Sequence, residues 1–224
     1  MMVIFVFLLS KGLGLSTGNI PAPLYYLSGL LVWNLFNHTV ANAANAMVSH
    51  GNIIKKIYFP RLIIPISAAL TASFDFLISL MIFCALILYY QFTALLDISW
   101  LLLICSMVTA YMITIVVAFS LGTLLSAINV KYRDVRYLLP FILQTLFFIT
   151  PVMYDADSIK QEWISQILLF NPLNYAITMV RENITSGSPD IISYPWHLVI
   201  VLILSYMLGI ITFRKMEAYF ADLV

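Results

Sequence analysis

The sequence predicts an all-α integral membrane protein with about six transmembrane helices, the first of them incomplete. Of its 224 residues, 62% are hydrophobic and only 9% are charged, whereas about a quarter of the residues in soluble globular domains are charged. The mean hydropathy is +1.00. A spanning helix needs about 20 predominantly apolar residues, and the chain contains several apolar runs of this length. We therefore predict one membrane domain over residues 1–224 and no soluble domain.

The first half of the chain supplies the first three predicted spans. Residues 1–10 are apolar but, as a helix, cover only about half of the ~30 Å hydrocarbon core, so we interpret them as the second half of a span whose beginning is missing. Residues 24–48 are long enough to form span 2, and residues 62–90 form span 3. Span 2 is unusual because asparagines and other polar residues fill its second half. A basic segment, residues 51–61, connects spans 2 and 3.

The second half of the chain supplies three more spans and one long connection. Residues 100–128 predict span 4, residues 137–153 span 5 and residues 196–213 span 6. The connection over residues 155–184 is too long for a simple turn and contains two short amphipathic stretches that an Asn-Pro pair separates. Backbone outside a complete span can lie at membrane depth only where protein shields it or water reaches it. We therefore predict a pair of short re-entrant extracytoplasmic helices between spans 5 and 6.

The basic residues indicate which connections face the cytoplasm. Three clusters contain most of the 11 Lys and Arg residues; they are Lys55, Lys56 and Arg61, then Lys131, Arg133 and Arg136, then Arg214 and Lys215. Cytoplasmic loops of membrane proteins carry an excess of Lys and Arg. We therefore assign the three clusters to the cytoplasmic side, and alternation of the spans assigns the re-entrant helices to the opposite side.

The sequence carries no motif that predicts an enzyme. Residues 14–18 match G-x-S-x-G, but this motif acts only as a strained strand-to-helix turn with a histidine and an acid nearby, and here it follows an apolar run. The zinc-binding and phosphate-binding motifs H-E-x-x-H, C-x-x-C and G-x-x-x-x-G-K-[ST] are absent. We predict no catalytic residue, no metal site and no cofactor in this chain. If nucleotide energy drives the protein, another chain binds the nucleotide.

A polar face runs along the second half of span 2. Asn34, His38, Asn42 and Asn45 follow the spacing i, i+4, i+8, i+11, which places all four within roughly 80° on a helix of 3.6 residues per turn. Polar side chains that face lipid cost free energy, so this face is expected to contact other helices or water. Two interpretations are equally favoured: an interhelical hydrogen-bond seam, or the wall of a polar conduit.

Aromatic residues accompany this polar face toward the outer end of span 2. They are Tyr25, Tyr26, Trp33 and Phe36. Aromatic rings collect at the membrane–water interface, and stacking on sugar rings is the other use considered for them. The interfacial belt is the favoured interpretation.

Asp75 is the one acid that lies well inside an apolar span. Ionisable residues at this depth are functional candidates by default. A single carboxylate does not make a proton relay, so we favour a hydrogen-bonded or protonated structural role. Asp75 with His38 is also the candidate pair for an intramembrane enzyme that acts on a lipid-linked sugar, which is a remote alternative function.

The basic segment between spans 2 and 3 also carries apolar side chains. Positive charge alone would hold this loop on the cytoplasmic side, but it does not explain why Ile53, Ile54, Ile57, Tyr58 and Phe59 are interposed between Lys55, Lys56 and Arg61. A short amphipathic helix that ends at Pro60 would present the apolar set to a groove in a partner protein or to the lipid headgroups. Docking to a partner is the favoured interpretation.

With these segments in place, the chain closely resembles the permease subunit of bacterial ABC-2 type polysaccharide exporters. The resemblance lies in short stretches that cover nearly the whole chain in the family's order. They are residues 28–36, 52–65, 132–136 followed by Pro140, 150–154, 171–175 and 217–222. Family members begin with a cytoplasmic amphipathic gate helix and a complete first span, both of which are absent or cut in this sequence.

The resemblance implies a multi-pass protein of the bacterial inner membrane that exports lipid-linked polysaccharide of the O-antigen, capsule or teichoic acid type. It implies a homodimer that pairs with two separate ATPase subunits, which bind ATP and Mg, and no nucleic-acid partner. It places the coupling helix on residues 52–61. Together with the polar face, it makes eight residues candidates for lining the channel: Trp33, Asn34, Phe36, Asn37, His38, Asn42, Asn45 and Tyr154.

The runner-up function is export of a drug or a small lipid by a permease of the same superfamily. Residue types along a conduit do not separate these cargoes. Glycosyltransferase genes beside the gene of this protein would favour polysaccharide.

Overall fold

The computed structural model describes residues 2–12, 20–51, 60–93, 98–132, 134–155, 161–185 and 196–217, and all regular structure within these ranges is helical. The all-α prediction is therefore confirmed. The helices in chain order are α1 (Met2–Phe5, continued by a π-helix over Val6–Gly12), α2 (Ala22–Ser49), α3 (Ile63–Phe92), α4 (Trp100–Lys131), α5 (Val135–Ile149), α6 (Glu162–Leu169), α7 (Pro172–Thr185) and α8 (Trp196–Glu217).

Three of these helices, α3, α4 and α8, are long and apolar enough to cross a membrane, with mean hydropathies of 2.2 to 2.4 over their best windows. Helix α2 has 28 residues, but its asparagines lower its hydropathy below that of a typical span. Helix α5 has only 15 residues, fewer than the ~20 that a perpendicular span needs. Because three helices are long and apolar enough to span, the protein is a multi-pass membrane protein. The total of six spans remains a prediction.

Helices α2 and α4 form the centre of the bundle. Helix α2 packs against α4 and α3, and α4 also packs against α8 and α7. A methyl group at Gly122 of α4 would lie 2.8 Å from the Cβ of Ala43 on α2, a distance too short for two carbons. The missing side chain therefore allows the two backbones to approach closely, as small residues do in membrane helix pairs.

The ends of four helices meet at one end of the bundle. Buried side chains from α2, α3, α4 and α8 form a separate apolar cluster there, which consists of Ala46, Met47, Ile64, Ala127, Val130 and Phe213. The guanidinium of Arg61, just before α3, donates to the backbone carbonyl of Glu217 at the end of α8. Each of the three basic clusters contributes described residues to helix ends on this side, namely Arg61, Lys131 and Arg136, and Arg214 with Lys215, which agrees with the cytoplasmic assignment from charge.

At the opposite end, Arg181 fastens α7 to α2 and to the loop after α5. Its Nη1 donates to the Tyr25 hydroxyl and to the Pro151 carbonyl, both at 3.0 Å. Its Nη2 donates to the Val152 carbonyl at 2.8 Å, and its guanidinium carbon lies 3.7 Å from the Tyr25 ring centroid. A Cβ at Gly29 would lie 2.9 Å from the Val152 carbonyl oxygen and 3.0 Å from Nη2. Only glycine fits at this position.

The aromatic residues near this end are not an interfacial belt. The side chains of Tyr25, Tyr26, Trp33 and Phe36 are all buried, whereas a belt requires rings that reach the headgroup layer. Helices α7 and α4 and the loop after α5 cover this part of α2, and the sequence alone does not show that cover. The belt interpretation is therefore wrong.

Two short helices, α6 and α7, occupy the long connection between α5 and α8. The Asn171 side chain begins α7, because its Oδ1 accepts from the Leu173 amide at 3.0 Å and caps the first turn. Its Nδ2 donates to Thr150 Oγ1 at 3.2 Å. The Asn174 amide donates to the Leu168 carbonyl at 3.1 Å, which ties α7 to the end of α6. The depth of this pair in the membrane remains a prediction.

Candidate functional site

A cleft of about 480 Å³ lies between α2 and α5, with Phe5 of α1 beside it. We call it the α2–α5 cleft. Its polar lining comes from three asparagines of α2 and from two residues of α5, and its apolar lining includes two aromatic rings from the same helices. The polar residues are Asn34, Asn37, Asn45, Arg136 and Gln144, and the rings are Trp33 and Phe147.

The amide side chains stand on one face of α2. Among the described residues, those of Asn34 and Asn37 have no hydrogen-bond partner. The Asn45 amide is partly used, because its Nδ2 donates to the Ala41 carbonyl at 2.9 Å and its Oδ1 accepts from Asn129 Nδ2 at 3.4 Å. The face thus combines a short interhelical seam at its inner end with amides that are available to water or to a ligand.

The aromatic part of the cleft is rigid. The Trp33 ring centroid lies 5.4 Å from that of Phe36 and 5.2 Å from that of Phe147. Trp33 lines the cleft although only 7% of it is exposed. Phe36 is buried behind it and does not line the cleft. The cleft therefore combines the Trp33 ring, packed between two other rings, with hydrogen-bonding amides.

His38 and Asn42 lie beside the cleft rather than in it. Both are exposed and share the polar face of α2, but neither belongs to the cleft lining. His38 instead contacts Asp75 of α3, with 3.4 Å between Nδ1 and Oδ2. The structure therefore supports the hydrogen-bonded interpretation of Asp75 and brings together the two residues that the sequence analysis named as a pair.

Tyr154 lies away from the cleft, in the loop after α5. Its hydroxyl donates to the carbonyls of Ile149 at 2.8 Å and Phe148 at 3.2 Å. Burial raises the pKa of the Tyr154 phenol, so the hydroxyl keeps its proton and remains a donor. The residue closes the end of α5, and the structure gives it no position on the cleft.

Sequence reasoning missed the α5 side of the cleft. Arg136, Leu143, Gln144 and Phe147 all line it and follow the spacing i, i+7, i+8, i+11, which is the spacing of one helical face. This pattern could have been found in the sequence. Pro140 lies inside this helix, and a proline there does not interrupt the face.

The predicted coupling residues lie largely outside the described part of the chain. Ile53, Ile54, Lys55, Lys56, Ile57, Tyr58 and Phe59 fall in the gap between residues 51 and 60. Of the remaining two, Pro60 is exposed and Arg61 makes the contact with Glu217 described above. The prediction that this segment docks to a partner therefore rests on the sequence.

Comparison with known proteins finds a matching family and several relatives of this chain. The family model described as ABC-2 type transporter matches residues 1–185. An O-antigen export system permease protein, RfbA, of Klebsiella pneumoniae is 26% identical over 204 residues, which are 90% of this chain and 75% of that protein. RfbA of Myxococcus xanthus is 30% identical over 158 residues, 69% of this chain and 58% of that protein. The polysialic acid transport protein KpsM of Escherichia coli is 24% identical over 178 residues, 75% of this chain and 63% of that protein.

Proposed function

Because the chain belongs to the ABC-2 type transporter family, we propose that it is the permease subunit of an ATP-driven exporter of lipid-linked polysaccharide in the bacterial inner membrane. The relatives support the cargo class, since they are named for O-antigen export and for polysialic acid transport. In this role the chain is a transporter component and not itself an enzyme.

The single observation that carries the proposal is the chemistry of the α2–α5 cleft. A sugar chain presents hydroxyl groups, which exchange hydrogen bonds with amides, and apolar ring faces, which pack on aromatic side chains. The cleft offers both kinds of group, from Asn34, Asn37 and Gln144 and from Trp33. Amides can both donate and accept, so they can replace the water around hydroxyl groups at any register of a moving chain.

Energy for transport would come from a separate ATPase subunit. The basic amphipathic segment, residues 51–61, connects α2 to α3 in the sequence, and Met47 before it and Ile64 after it belong to the end of the bundle where four helices meet. Docking of this segment in an ATPase groove would transmit movement into α2 and α3, which flank it. Two ATPase copies and a homodimer of permeases complete the proposed assembly. Introducing aspartate at Tyr58 and Phe59 should abolish co-purification of the ATPase; unchanged association would remove the docking proposal.

The cleft is tested by replacing its amides in the intact transporter. In a strain that lacks the gene, complementation with an Asn34→Leu, Gln144→Leu double variant should lower surface polysaccharide by about tenfold or more, because each lost hydrogen bond costs about 1 kcal/mol or more. Lipid-linked chains should accumulate inside the cell. Surface polysaccharide is measured by immunoblotting.

Thr145→Val provides the matched control for this experiment. Thr145 adjoins Gln144 on α5 but does not line the cleft, and its hydroxyl donates to the Phe141 carbonyl of its own helix at 2.9 Å. This variant should export normally. Normal export by the double variant would show that the cleft does not carry the chain.

A further inference from the structure

The His38–Asp75 pair is the feature of the bundle that the cleft does not explain. It joins α2 to α3 through a contact of 3.4 Å, yet the His38 side chain is 46% exposed and the Asp75 side chain 56% exposed. Where Asp75 is ionised, its carboxylate only accepts hydrogen bonds, and His38 Nδ1 is then the donor. Asp75 retains acceptor capacity beyond this one contact, because a carboxylate offers about four lone-pair positions.

The depth of Asp75 makes its exposure unusual. It lies 12 residues after Ile63, the first residue of α3, which corresponds to about 18 Å along the helix. That position is near the middle of a hydrocarbon core of ~30 Å. A carboxylate there is costly unless it faces protein or water, so hydrocarbon does not cover this side of α3.

The surroundings of the pair show what it faces. His38 lies four residues from both Asn34 and Asn42 on α2, and all three side chains are exposed on the same face. These side chains connect Asn34, which lines the α2–α5 cleft, with the His38–Asp75 contact. The nearby Ser79 hydroxyl does not need water, because it donates to the backbone carbonyl of Asp75 in its own helix at 3.0 Å. The Asp75 carboxylate is the group here that requires water.

We propose that the conduit wall continues from α2 onto α3, and that Asp75, oriented by His38, is a specificity-determining residue for the cargo. This inference rests on the proposed function and narrows the cargo to uncharged or amine-bearing sugar chains. The carboxylate accepts hydrogen bonds from their hydroxyl or ammonium groups. It repels chains that carry many carboxylates or phosphates, because like charges brought side by side disfavour binding of such a chain.

The position of the wall is tested by cysteine accessibility in the assembled transporter. With the native Cys84 and Cys105 replaced by alanine, Asp75→Cys and Thr71→Cys should react with a charged, water-soluble methanethiosulfonate. Leu77→Cys is the matched control. Leu77 is 51% exposed, similar to Asp75, but it lines an apolar cavity between α3 and α4.

Modification at residues 71 and 75 should exceed that at residue 77 by about tenfold, because the reactive thiolate forms only where water reaches it. Equal reactivity at all three positions, or none at residues 71 and 75, would overturn the placement of the wall. Thr71 keeps the test valid if the Asp75 variant fails to fold.

Specificity is tested by the ratio of acidic to neutral chain exported, measured with a neutral lipid-linked hexose chain and a comparable chain that carries uronic acid. Asp75→Asn should raise this ratio by about fivefold, which corresponds to about 1 kcal/mol, because it removes one like-charge repulsion. Ser79→Ala, one turn away, should leave it unchanged. An unchanged ratio in Asp75→Asn overturns the inference alone. Failure of the unaltered protein to export either chain would instead contradict the proposed function.

Discussion

The two halves of α2 use polar residues in opposite ways. In the outer half, Tyr25 and Ser28 are buried and paired: Ser28 Oγ donates to the Tyr25 carbonyl at 2.8 Å, and the Tyr25 hydroxyl accepts from Arg181. Asn34, near the middle of the helix, and Asn42, in its inner half, are exposed and have no hydrogen-bond partner among the described residues. Burial with partners indicates a structural role, and exposure without partners indicates contact with water or a ligand.

This difference follows from the cost of desolvation. A buried polar group loses its water and must recover hydrogen bonds inside the protein, so the outer half depends on each of its contacts. An exposed amide on a spanning helix is tolerated only where water or another polar surface replaces lipid. Substitutions in the outer half should therefore change stability, and substitutions in the inner half should change transport.

The largest effect is expected for Arg181→Met. Methionine has a comparable length but leaves the carbonyls of Pro151 and Val152 and the Tyr25 hydroxyl without their donor. The free energy of unfolding should fall by about 2 to 4 kcal/mol, since each buried acceptor that loses its partner costs about 1 to 3 kcal/mol and relaxation recovers part of it. Thermal unfolding in detergent, followed by tryptophan fluorescence, measures the loss.

Arg214→Met is the control for this substitution. Arg214 is exposed in the last turn of α8, and surface substitutions usually change stability by no more than about 0.5 kcal/mol. If both arginine variants unfold at the temperature of the unaltered protein, the outer half of α2 does not depend on Arg181.

The sequence predicted the fold more completely than the site. Apolar runs set the positions of α3, α4 and α8, because hydrophobic length is a local property that can be read without knowing the partners of a helix. The role of Arg181 was not predictable in this way. It depends on α2, α7 and the loop after α5 coming together, and residues 25 and 181 are far apart in the sequence.

Gly29→Ala should give the next largest effect. Alanine normally stabilises a helix interior by about 1 kcal/mol relative to glycine. At Gly29, however, the new methyl group would lie 2.9 Å from the Val152 carbonyl oxygen, and overpacking of this kind costs about 1 to 3 kcal/mol. We expect the variant to be less stable by roughly 1 kcal/mol, measured by the same thermal unfolding.

Ser49→Ala, at the exposed inner end of α2, is the control, for which we expect no loss of stability. Its hydroxyl only donates to the Asn45 carbonyl of its own helix, so the gain in helix propensity should leave stability unchanged or slightly higher. A stabilising Gly29→Ala substitution would show that the close approach of the loop after α5 to α2 is not needed.

The site was predictable on α2 but only in part. The spacing of the asparagines identified the polar face, and four of the eight candidates, Trp33, Asn34, Asn37 and Asn45, line the cleft. The spacing did not separate side chains that point toward α5 from His38, which points toward α3. These directions differ by only about 40° around a helix of 3.6 residues per turn, so they depend on where the neighbouring helices pack.

The smallest stability change, with the clearest change in transport, is expected for Asn42→Leu. Asn42 is exposed on α2, so the free energy of unfolding should change by no more than about 0.5 kcal/mol. Export should nevertheless fall several-fold, because the substitution places an apolar side chain on the proposed conduit wall.

Asn183→Leu on α7 is the control, for which we expect the opposite result: lower stability and no specific loss of export. Asn183 is 5% exposed and donates to the Met179 carbonyl at 2.9 Å, so leucine there should lower stability, and any export defect should follow the amount of folded protein. If Asn42→Leu stabilises the protein and export is unaffected, the inner half of α2 faces lipid and the contrast between the two halves fails.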